Sequence, residues 1–373
     1  MKGFDFEEER IKQEIAKIGA KRVLLQFPEG LKPEGPRIAK IVEKEGALPI
    51  ISADPCYGAC DIAVNEAESL GVDLIVHFGH AKLTTYDKTP TIYVEARATV
   101  VVKEAVKQSL SLLENYCCIG LATSVQHLHD LSNAKNILVQ AGKTVFIGNN
   151  SQNIYSGQVI GCNYSNVQSI AKDVEAFLFV GGGMFHAIGI ALSTSKPTFV
   201  ADPYDIRAFS INNEAQKILK QRWTCIQEAQ NAKTFGVIIG SKPGQKRFDQ
   251  ALSIKALAEK HEKEAYLLVS REITPENLLE FPSIDAYVNT ACPRISLEAP
   301  QKFSKPVLTV NEFMVVCGEY SWADILNGGV FSPIETTSRD KNYVKKRENM
   351  PLRANSKKEF STDRTNTKNS QSS

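Results

Sequence analysis

Short apolar runs alternate with amphipathic segments along most of this chain, and the same order of runs occurs three times. Runs of a few β-branched and aromatic residues are typical of buried strands, whereas the segments between them repeat their apolar positions with helical spacing. Buried strands that alternate with helices indicate parallel sheets joined by right-handed crossovers. The three series of runs extend over 22–95, 118–202 and 234–310.

This repeat predicts an α/β fold of three topologically similar domains, each a short and mainly parallel sheet flanked by helices. Sequence identity between the three series is not evident, so the repeat is one of topology. We place the domains at 1–100, 101–206 and 207–330, and a tail at 331–373.

The tail differs from the rest of the chain in charge. Residues 341–373 hold nine Lys or Arg against three Asp or Glu, a net +6, so the first 340 residues carry −4 of the total +2. The tail contains few large apolar residues, and we therefore expect it to be disordered. Its positive charge could add weak attraction to RNA, but the mildly acidic body gives no reason to expect a specific nucleic-acid partner.

Composition is that of a globular protein with a substantial core, since 43% of the residues are apolar and 23% are charged. The start of the chain lacks an apolar h-region, and no apolar run approaches the ~18 residues that a membrane span needs. We therefore expect a cytoplasmic protein without a membrane partner. Its eight cysteines should then be reduced thiols or metal ligands. Cys117 and Cys118 open the apolar run CCIGLA, which predicts buried strand residues.

One cysteine in each third of the chain follows a strand-like run. Cys60, Cys162 and Cys292 lie in ISADPCYGACD, GQVIGCN and AYVNTACPRI, which places each thiol in a loop at a strand end. One metal centre could draw a ligand from every domain, and the three domains would then surround a shared central site. On spacing alone, three separate buried thiols are an alternative.

The spacing around the first of these cysteines excludes the common metal motifs. Cys56 and Cys60 begin the C-x-x-x-C-x-x-C pattern of ordinary radical S-adenosylmethionine enzymes, but the last position is Ala63. No pair of cysteines has C-x-x-C spacing, and no H-E-x-x-H occurs. Any metal site must therefore be assembled from distant parts of the chain.

Five segments that occur in order along the chain together resemble one enzyme family. They are LLQFPEGL (24–31), DPCYGACD (54–61), VHFGHA (76–81), VGGGMFHAIG (180–189) and NTACPRI (289–295). This set is similar to the archaeal diphthamide-biosynthesis family of 2-(3-amino-3-carboxypropyl)histidine synthases, over about residues 1–320. The resemblance implies a homodimer in which Cys60, Cys162 and Cys292 hold a [4Fe-4S] cluster.

The resemblance also implies the reaction. The 3-amino-3-carboxypropyl group would pass from S-adenosylmethionine to C2 of a histidine imidazole in elongation factor 2, by a non-classical radical route that needs an electron donor. Three thiolates leave one of four irons open, and an open position lets a metal site activate a substrate. No side chain supplies the reactivity that attack on imidazole carbon requires, so a cofactor must supply it.

Several polar and glycine residues at strand ends are further predictions for the site. Gly181, Gly182 and Gly183 could receive the carboxylate of S-adenosylmethionine on their backbone N–H groups, although a tight turn without a ligand is an alternative. We predict His186, which follows the turn, and Gln26, which ends the first strand, as two more cofactor-binding residues. The predicted catalytic residues are His77, His80 and Glu29; for the two histidines a purely structural role in the core is an alternative.

Two functions of other classes stay open at this point. A quinolinate-synthase-like dehydratase also joins three α/β units around a three-cysteine [4Fe-4S] cluster, but it lacks the five segments above. A non-catalytic three-domain module with a structural zinc would use the same thiols. Colour distinguishes the zinc module, because zinc is spectroscopically silent whereas an iron–sulfur cluster is brown.

Overall fold

Three mainly parallel sheets flanked by helices make up the fold, as the repeated pattern predicted. The computed structural model describes residues 3–83, 88–149, 155–298 and 302–330. The predicted tail lies outside the described residues. Each sheet lies in one of the three predicted domain ranges, except that the second continues to Ser210, four residues past its predicted end.

The first sheet has four parallel strands, and helices bury both of its faces. The elements of this part, in chain order, are β1 (Phe4–Asp5), α1 (Glu8–Ile18), β2 (Arg22–Gln26), α2 (Gly35–Lys44), β3 (Leu48–Ile51), α3 (Val64–Leu70), β4 (Leu74–Phe78), β5 (Thr91–Val94) and β6 (Arg97–Ala98). Strand order in the sheet is β3-β2-β4-β5, and β1 pairs separately with β6 in an antiparallel ribbon. Burial on both faces explains why these strands are continuous apolar runs.

The second sheet has the same order of parallel strands and one additional antiparallel strand at its edge. Its elements are α4 (Lys103–Leu112), β7 (Cys118–Thr123), α5 (Leu131–Gln140), β8 (Thr144–Phe146), α6 (Ser165–Ile170), β9 (Ala176–Val180), α7 (Phe185–Thr194), β10 (Thr198–Asp202) and β11 (Arg207–Ser210). The order is β11-β10-β9-β7-β8. The apolar pattern did not predict β11, because its sequence, RAFS, is short and partly exposed.

The third sheet is also parallel, and the order of its strands is β13-β12-β14-β15. The elements are α8 (Asn212–Ala229), β12 (Thr234–Gly240), α9 (Phe248–Lys260), β13 (Glu264–Ser270), α10 (Pro275–Leu279), β14 (Ala286–Asn289), α11 (Pro293–Glu298), β15 (Val307–Thr309), α12 (Val310–Val316) and α13 (Trp322–Gly328). Short 3-10 helices occupy Glu29–Glu34, Val125–Asp130 and Pro243–Gln245.

An acidic residue recurs at one position of all three sheets. It directly precedes the third strand of each series, and its carboxylate accepts hydrogen bonds from two backbone N–H groups at the start of the first strand. The sets are Asp73 with Lys21 and Arg22, Glu175 with Cys117 and Cys118, and Asp285 with Lys233 and Thr234. These N–H groups hold the pKa of each carboxyl below its ordinary value. The shared contact indicates that the three sheets repeat in detail as well as in topology.

One cysteine prediction is wrong in this region. Cys117 is exposed and Cys118 is partly exposed, whereas the run CCIGLA predicted two buried residues. Strand β7 begins only at Cys118. The backbone N–H groups of Cys117 and Cys118 lie at the start of this strand and donate hydrogen bonds to the carboxylate of Glu175. Burial begins at Ile119, one residue into the strand.

Candidate metal and substrate site

The three loop cysteines lie at the carboxyl ends of parallel strands in their respective domains. Cys60 lies between β3 and α3, Cys162 between β8 and α6, and Cys292 between β14 and α11. Burial, followed by the nearby thiols of Cys60 and Cys292, raises the pKa of Cys162 to about 12, so both of these thiols lie within electrostatic reach of Cys162. None of the eight cysteines forms a disulfide.

The loop that carries Cys60 is fixed against the third domain. The backbone N–H of Gly244 donates to the carbonyl of Cys60 over 2.8 Å. A Cβ at Gly244 would lie only 2.6 Å from Cys60 Cα, so the close approach requires glycine at this position. The Gln245 side-chain amide donates to Cys60 Sγ over 3.3 Å. Hydrogen bonds to cluster sulfurs tune reduction potential, so Gln245 is suited to adjust a cluster that Cys60 would bind.

Directly after Cys60, a buried ion pair joins the same two domains. Lys242 Nζ lies 2.8 Å from Asp61 Oδ2 and 2.8 Å from Glu272 Oε1, and the Lys242 and Asp61 side chains are at most 4% exposed. Lys242 also lies over the ring of Tyr57 at 4.4 Å. Burial raises the pKa of Asp61, while Lys242 opposes that shift. Removal of either partner would leave a buried charge beside the ligand loop, so this pair helps to position Cys60.

The loops of Cys162 and Cys292 meet at the start of α7. A Cβ at Gly161 would lie 2.7 Å from the ring of Phe185 and 3.4 Å from the Arg294 side chain. The Arg294 guanidinium lies over the Phe185 ring at 4.2 Å. Because Gly161 precedes Cys162 and Arg294 follows Cys292 by two residues, this contact fixes both cysteine loops relative to each other.

The residues present fit a cluster with three thiolate ligands. The donors come from three separate loops. Cys60 and Cys292 are partly exposed, and Cys162 is exposed at its surface even though the protein packed around its thiol desolvates it, so the site is reachable from outside. Burial raises the pKa of Cys60 and Cys162, and iron would displace their protons because a metal binds thiolates. Cys56 differs, since it is buried and its pKa is raised to about 12 mainly by burial.

Gln26, His77 and His80 form a hydrogen-bonded chain next to this site. His77 Nδ1 lies 2.9 Å from Gln26 Oε1, and His77 Nε2 lies 3.0 Å from His80 Nδ1. Burial lowers the pKa of His77 well below 6.5 and that of His80 to about 4. Both rings are therefore neutral at physiological pH.

The same histidines and Cys56 form a compact group of potential metal ligands. One ligand atom from each of Cys56, His77 and His80 lies within 4.8 Å of the others. The hydrogen bonds of both rings account for their close approach without a metal. Cys56 thus lies beside the histidine chain, four residues before the predicted ligand Cys60.

The triple-glycine turn connects β9 to the start of α7. Gly181 has a φ of +153° and Gly183 a φ of +76°, which are conformations that favour glycine. The Gly181 N–H extends the sheet by donating to the carbonyl of Ala201 over 3.0 Å. Of the three predicted donors, the first therefore already has a partner, and carboxylate binding by Gly182 and Gly183 stays a prediction.

Two predicted residues remain, His186 and Glu29, and they differ in burial: His186 packs against another ring, whereas Glu29 is exposed. His186 lies in α7, stacks on Phe179 with ring centroids 5.6 Å apart, and has a pKa of about 4 because of burial and the nearby Arg294. Glu29 is 61% exposed and pairs with Lys32 at 2.8 Å. Its catalytic role stays a prediction without support from a contact.

Sequence reasoning did not single out Asp61, Lys242, Gln245 or Arg294. Asp61 and Arg294 lie in the segments DPCYGACD and NTACPRI, within two residues of a predicted ligand. Adjacency to the cysteines was the available signal. Lys242 and Gln245 lie in SKPGQ after β12, a polar loop at the carboxyl end of a central strand, where α/β proteins usually place functional groups.

Within the described ranges, no helix has both the length and the apolar character that crossing a bilayer would require.

Comparison with known proteins gives consistent matches over most of the chain. A family model described as "Putative diphthamide synthesis protein" matches residues 27–326. The 2-(3-amino-3-carboxypropyl)histidine synthase of Pyrococcus horikoshii is 40% identical, with 85% of this chain and 93% of that protein covered. Subunit 1 of the same enzyme from Nematostella vectensis is 30% identical, with 86% and 68% covered.

A solved structure is also similar to this chain. The crystal structure of Dph2 from Pyrococcus horikoshii with a 4Fe-4S cluster aligns with a TM-score of 0.79 at 37% sequence identity. The alignment covers 86% of this chain and 92% of that one.

Proposed function

The chain belongs to the diphthamide synthesis family and is an enzyme of the 2-(3-amino-3-carboxypropyl)histidine synthase class, and on this basis we propose its substrates and cofactor. It transfers the 3-amino-3-carboxypropyl group from S-adenosylmethionine to C2 of a histidine imidazole in elongation factor 2, the first step of diphthamide biosynthesis. The resident cofactor is a [4Fe-4S] cluster.

The observation that carries this proposal is that each of the three sheets has one loop cysteine after a strand and that two of these thiols, Cys60 and Cys292, are near enough to Cys162 to raise its pKa. Cys60, Cys162 and Cys292 would hold the cluster, and Gln245 donates a hydrogen bond to the sulfur of Cys60. When bound, the cluster would supply the single electron that cleaves S-adenosylmethionine between sulfur and the aminocarboxypropyl carbon. The 4Fe-4S cluster in the similar Pyrococcus horikoshii protein supports the choice of cofactor.

The chain's own residues position the loop of one proposed ligand and the polar groups beside it. Gly244, together with the Asp61–Lys242 pair, fixes the Cys60 loop, so this proposed ligand is held in place before a cluster binds. His77 and His80 present neutral rings to the site. A neutral imidazole does not repel the cationic sulfonium of the donor.

Anaerobic reconstitution tests this proposal directly. Protein purified without oxygen should be brown, contain iron and acid-labile sulfide, and transfer label from carboxyl-labelled S-adenosylmethionine to the cognate elongation factor 2 once a reductant is present. A colourless protein that contains stoichiometric zinc would favour a structural zinc module instead. Quinolinate formation by the brown protein would favour the dehydratase.

We further propose that the enzyme is a homodimer in the cytoplasm, where elongation factor 2 and an electron donor are available. The third sheet supports self-association, because its edge strand β13 exposes Tyr266 and Val269, by 53% and 74%. Exposed apolar edge strands tend to pair with another chain. Light scattering should give a dimer mass, and Val269→Lys should shift the mass toward the monomer.

A further inference from the structure

We propose that Gln245 sets the reduction potential of the [4Fe-4S] cluster proposed above, by donating a side-chain hydrogen bond to Cys60 Sγ that favours the reduced form. Gln245 would act on the cluster through its ligand, so it is a positioning residue and not a catalytic one. The inference rests on the proposed function, because the contact can influence a potential only if a redox-active centre is bound at Cys60.

The contact joins the third domain to the ligand loop of the first. Gln245 Nε2 lies 3.3 Å from Cys60 Sγ, within hydrogen-bond distance of a sulfur atom. The two backbones meet at the same place, because the N–H of Gly244 donates to the carbonyl of Cys60 over 2.8 Å. The side-chain donor is therefore anchored to the ligand residue by its own neighbour in the chain.

A thiolate ligand determines which end of the Gln245 amide faces the sulfur. A cysteine sulfur bound to iron has lost its proton, so it can accept a hydrogen bond but cannot donate one. The amide oxygen would oppose one lone pair with another, whereas the NH₂ group offers a donor. Bound iron would therefore retain the orientation that the structure shows, with Nε2 toward Cys60.

Local structure holds the Gln245 side chain in this position. Gln245 ends the 3-10 helix Pro243–Gln245, and its backbone N–H donates to the carbonyl of Lys242 over 2.9 Å. The residue is 6% exposed. A Cβ at Gly240 would lie 3.0 Å from Gln245 Cβ, so Gln245 packs directly on the end of β12. A donor that is already ordered loses little entropy when the sulfur becomes a ligand.

Lys242 is a nearby cation, but two carboxylates compensate its charge. Its ammonium lies 2.8 Å from Asp61 Oδ2 and 2.8 Å from Glu272 Oε1. A compensated ion pair presents little net charge to its surroundings, whereas the Gln245 amide directs its dipole at the ligand sulfur itself. Gln245 is therefore the better candidate for a residue that adjusts the potential.

The direction of the effect follows from charge. Reduction of [4Fe-4S]²⁺ to [4Fe-4S]⁺ adds one electron to a centre that already has three thiolate ligands. Hydrogen bonds to charged acceptors are roughly twice as strong as neutral ones, so the Gln245 bond strengthens as the sulfur gains negative charge. The bond therefore stabilises the reduced form more than the oxidised form and raises the potential.

Gln245→Met tests this directly, because it removes the donor and keeps an unbranched side chain of similar length. The midpoint potential of the reconstituted holoenzyme is measured by electron paramagnetic resonance during a titration with dithionite, which supplies the electron. At a fixed ambient potential the ratio of reduced to oxidised cluster should fall about tenfold, which for one electron is a shift of about 59 mV to lower potential.

Gln245→Lys provides the opposite sign. It replaces the amide with a charged donor, so the potential should rise. Gln168→Met is the matched control, because the Gln168 amide donates to the carbonyl of Ser193 over 3.4 Å in the second domain, and this variant should keep the wild-type potential.

Gly244→Ala tests the same contact without a change to the amide. The new Cβ would lie 2.6 Å from Cys60 Cα, so the two loops must separate and the potential should fall as in Gln245→Met. Gly30→Ala is its control, because a Cβ at Gly30 meets no atom within 4 Å among the described residues.

The possible results separate this inference from the proposed function. An unchanged potential in iron-containing Gln245→Met, or shifts of the same sign in the methionine and lysine variants, would refute the role of Gln245 while the proposed function stood. Gln245→Leu replaces the methionine variant should that protein not retain iron. A wild-type protein without a reducible cluster would overturn both proposals.

Discussion

Arg222 and Glu312 form an ion pair in which neither side chain has exposed surface. Arg222 Nε donates to Glu312 Oε1 over 2.8 Å, and the remaining guanidinium donors reach the carbonyls of Ser296 and Val307. Burial opposes the charge on Arg222, but Glu312 outweighs this and raises the pKa of the guanidinium. Because Ser296 lies in α11, the pair links α8 and α12 to the helix that follows Cys292.

Arg222→Met should lower the free energy of unfolding by about 3–5 kcal/mol, because it leaves the Glu312 carboxylate buried without its cation. Denaturant titration measures the change. The exposed pair of Lys260 and Glu319 is the control, and Lys260→Met should cost less than about 1 kcal/mol. A loss below 1 kcal/mol in Arg222→Met would contradict the importance of the buried pair.

Cys60→Ala, Cys162→Ala and Cys292→Ala should each lose the cluster and reduce label transfer to background. Each substitution removes one of three thiolates, and two cannot retain four irons in a site open to solvent. Iron content after anaerobic reconstitution is the measurement. A variant that kept a full and active cluster would remove its residue from the ligand set.

Cys225→Ala is the matched control for these variants. Cys225 is buried in the core of the third domain and contacts Arg222 through its sulfur. It should keep both the iron and the activity, at some cost in stability because of the small cavity that it leaves.

The recurring carboxylates predict a pH dependence of stability. The pKa values of Asp73, Glu175 and Asp285 are lowered in the folded protein. Their contribution is therefore complete above their unfolded pKa values of about 4 and is lost as pH falls through the lower folded values. The triple variant Asp73→Asn, Glu175→Gln, Asp285→Asn should melt at a lower temperature than the wild type near neutral pH. In a plot of melting temperature against pH, the two curves should converge in acid. Parallel curves would exclude this role.

Apolar periodicity predicted the parallel strands and most helices because both faces of each sheet are buried. It did not predict β1, β6 and β11, since these strands are two to four residues long and their antiparallel pairing depends on distant segments. The three acids were visible in the sequence as GVDL, DVEA and SIDA before the third strands. Their equivalence became recognisable only when the strands were in register.

The candidate site was predictable to a lesser extent. The cysteines stood out because a thiol in a loop at a strand end is unusual. Lys242 and Gln245 could not be connected with Cys60, because their contacts span about 180 residues and arise only when the first and third domains pack. Glu29 is the opposite case, a residue that the sequence suggested for the site without a contact there. Its position after β2 suggested the site, but it begins a 3-10 helix and its side chain pairs with Lys32.

Gly182→Val tests the predicted carboxylate contact of the glycine turn. Gly182 does not have a positive φ, so valine adds little backbone strain there, whereas Gly183 has a φ of +76° and could not be changed cleanly. The new Cβ would lie 2.9 Å from the ring of Tyr204, which is 43% exposed and can move. Turnover should fall while the melting temperature changes little. Unchanged turnover would remove the turn from the site.

The by-product of the reaction identifies which bond to sulfur breaks. Transfer of the aminocarboxypropyl group leaves methylthioadenosine, whereas cleavage by ordinary radical enzymes gives 5′-deoxyadenosine and methionine. We expect methylthioadenosine, because the ordinary C-x-x-x-C-x-x-C motif fails at Ala63 and the proposed ligands come from three domains instead. The outcome depends on which carbon of the sulfonium is held at the reactive position, and small displacements of a reacting atom change rates by large factors. Chromatography of the reduced anaerobic reaction with S-adenosylmethionine alone is the measurement, and deoxyadenosine as the main product would refute the mechanism.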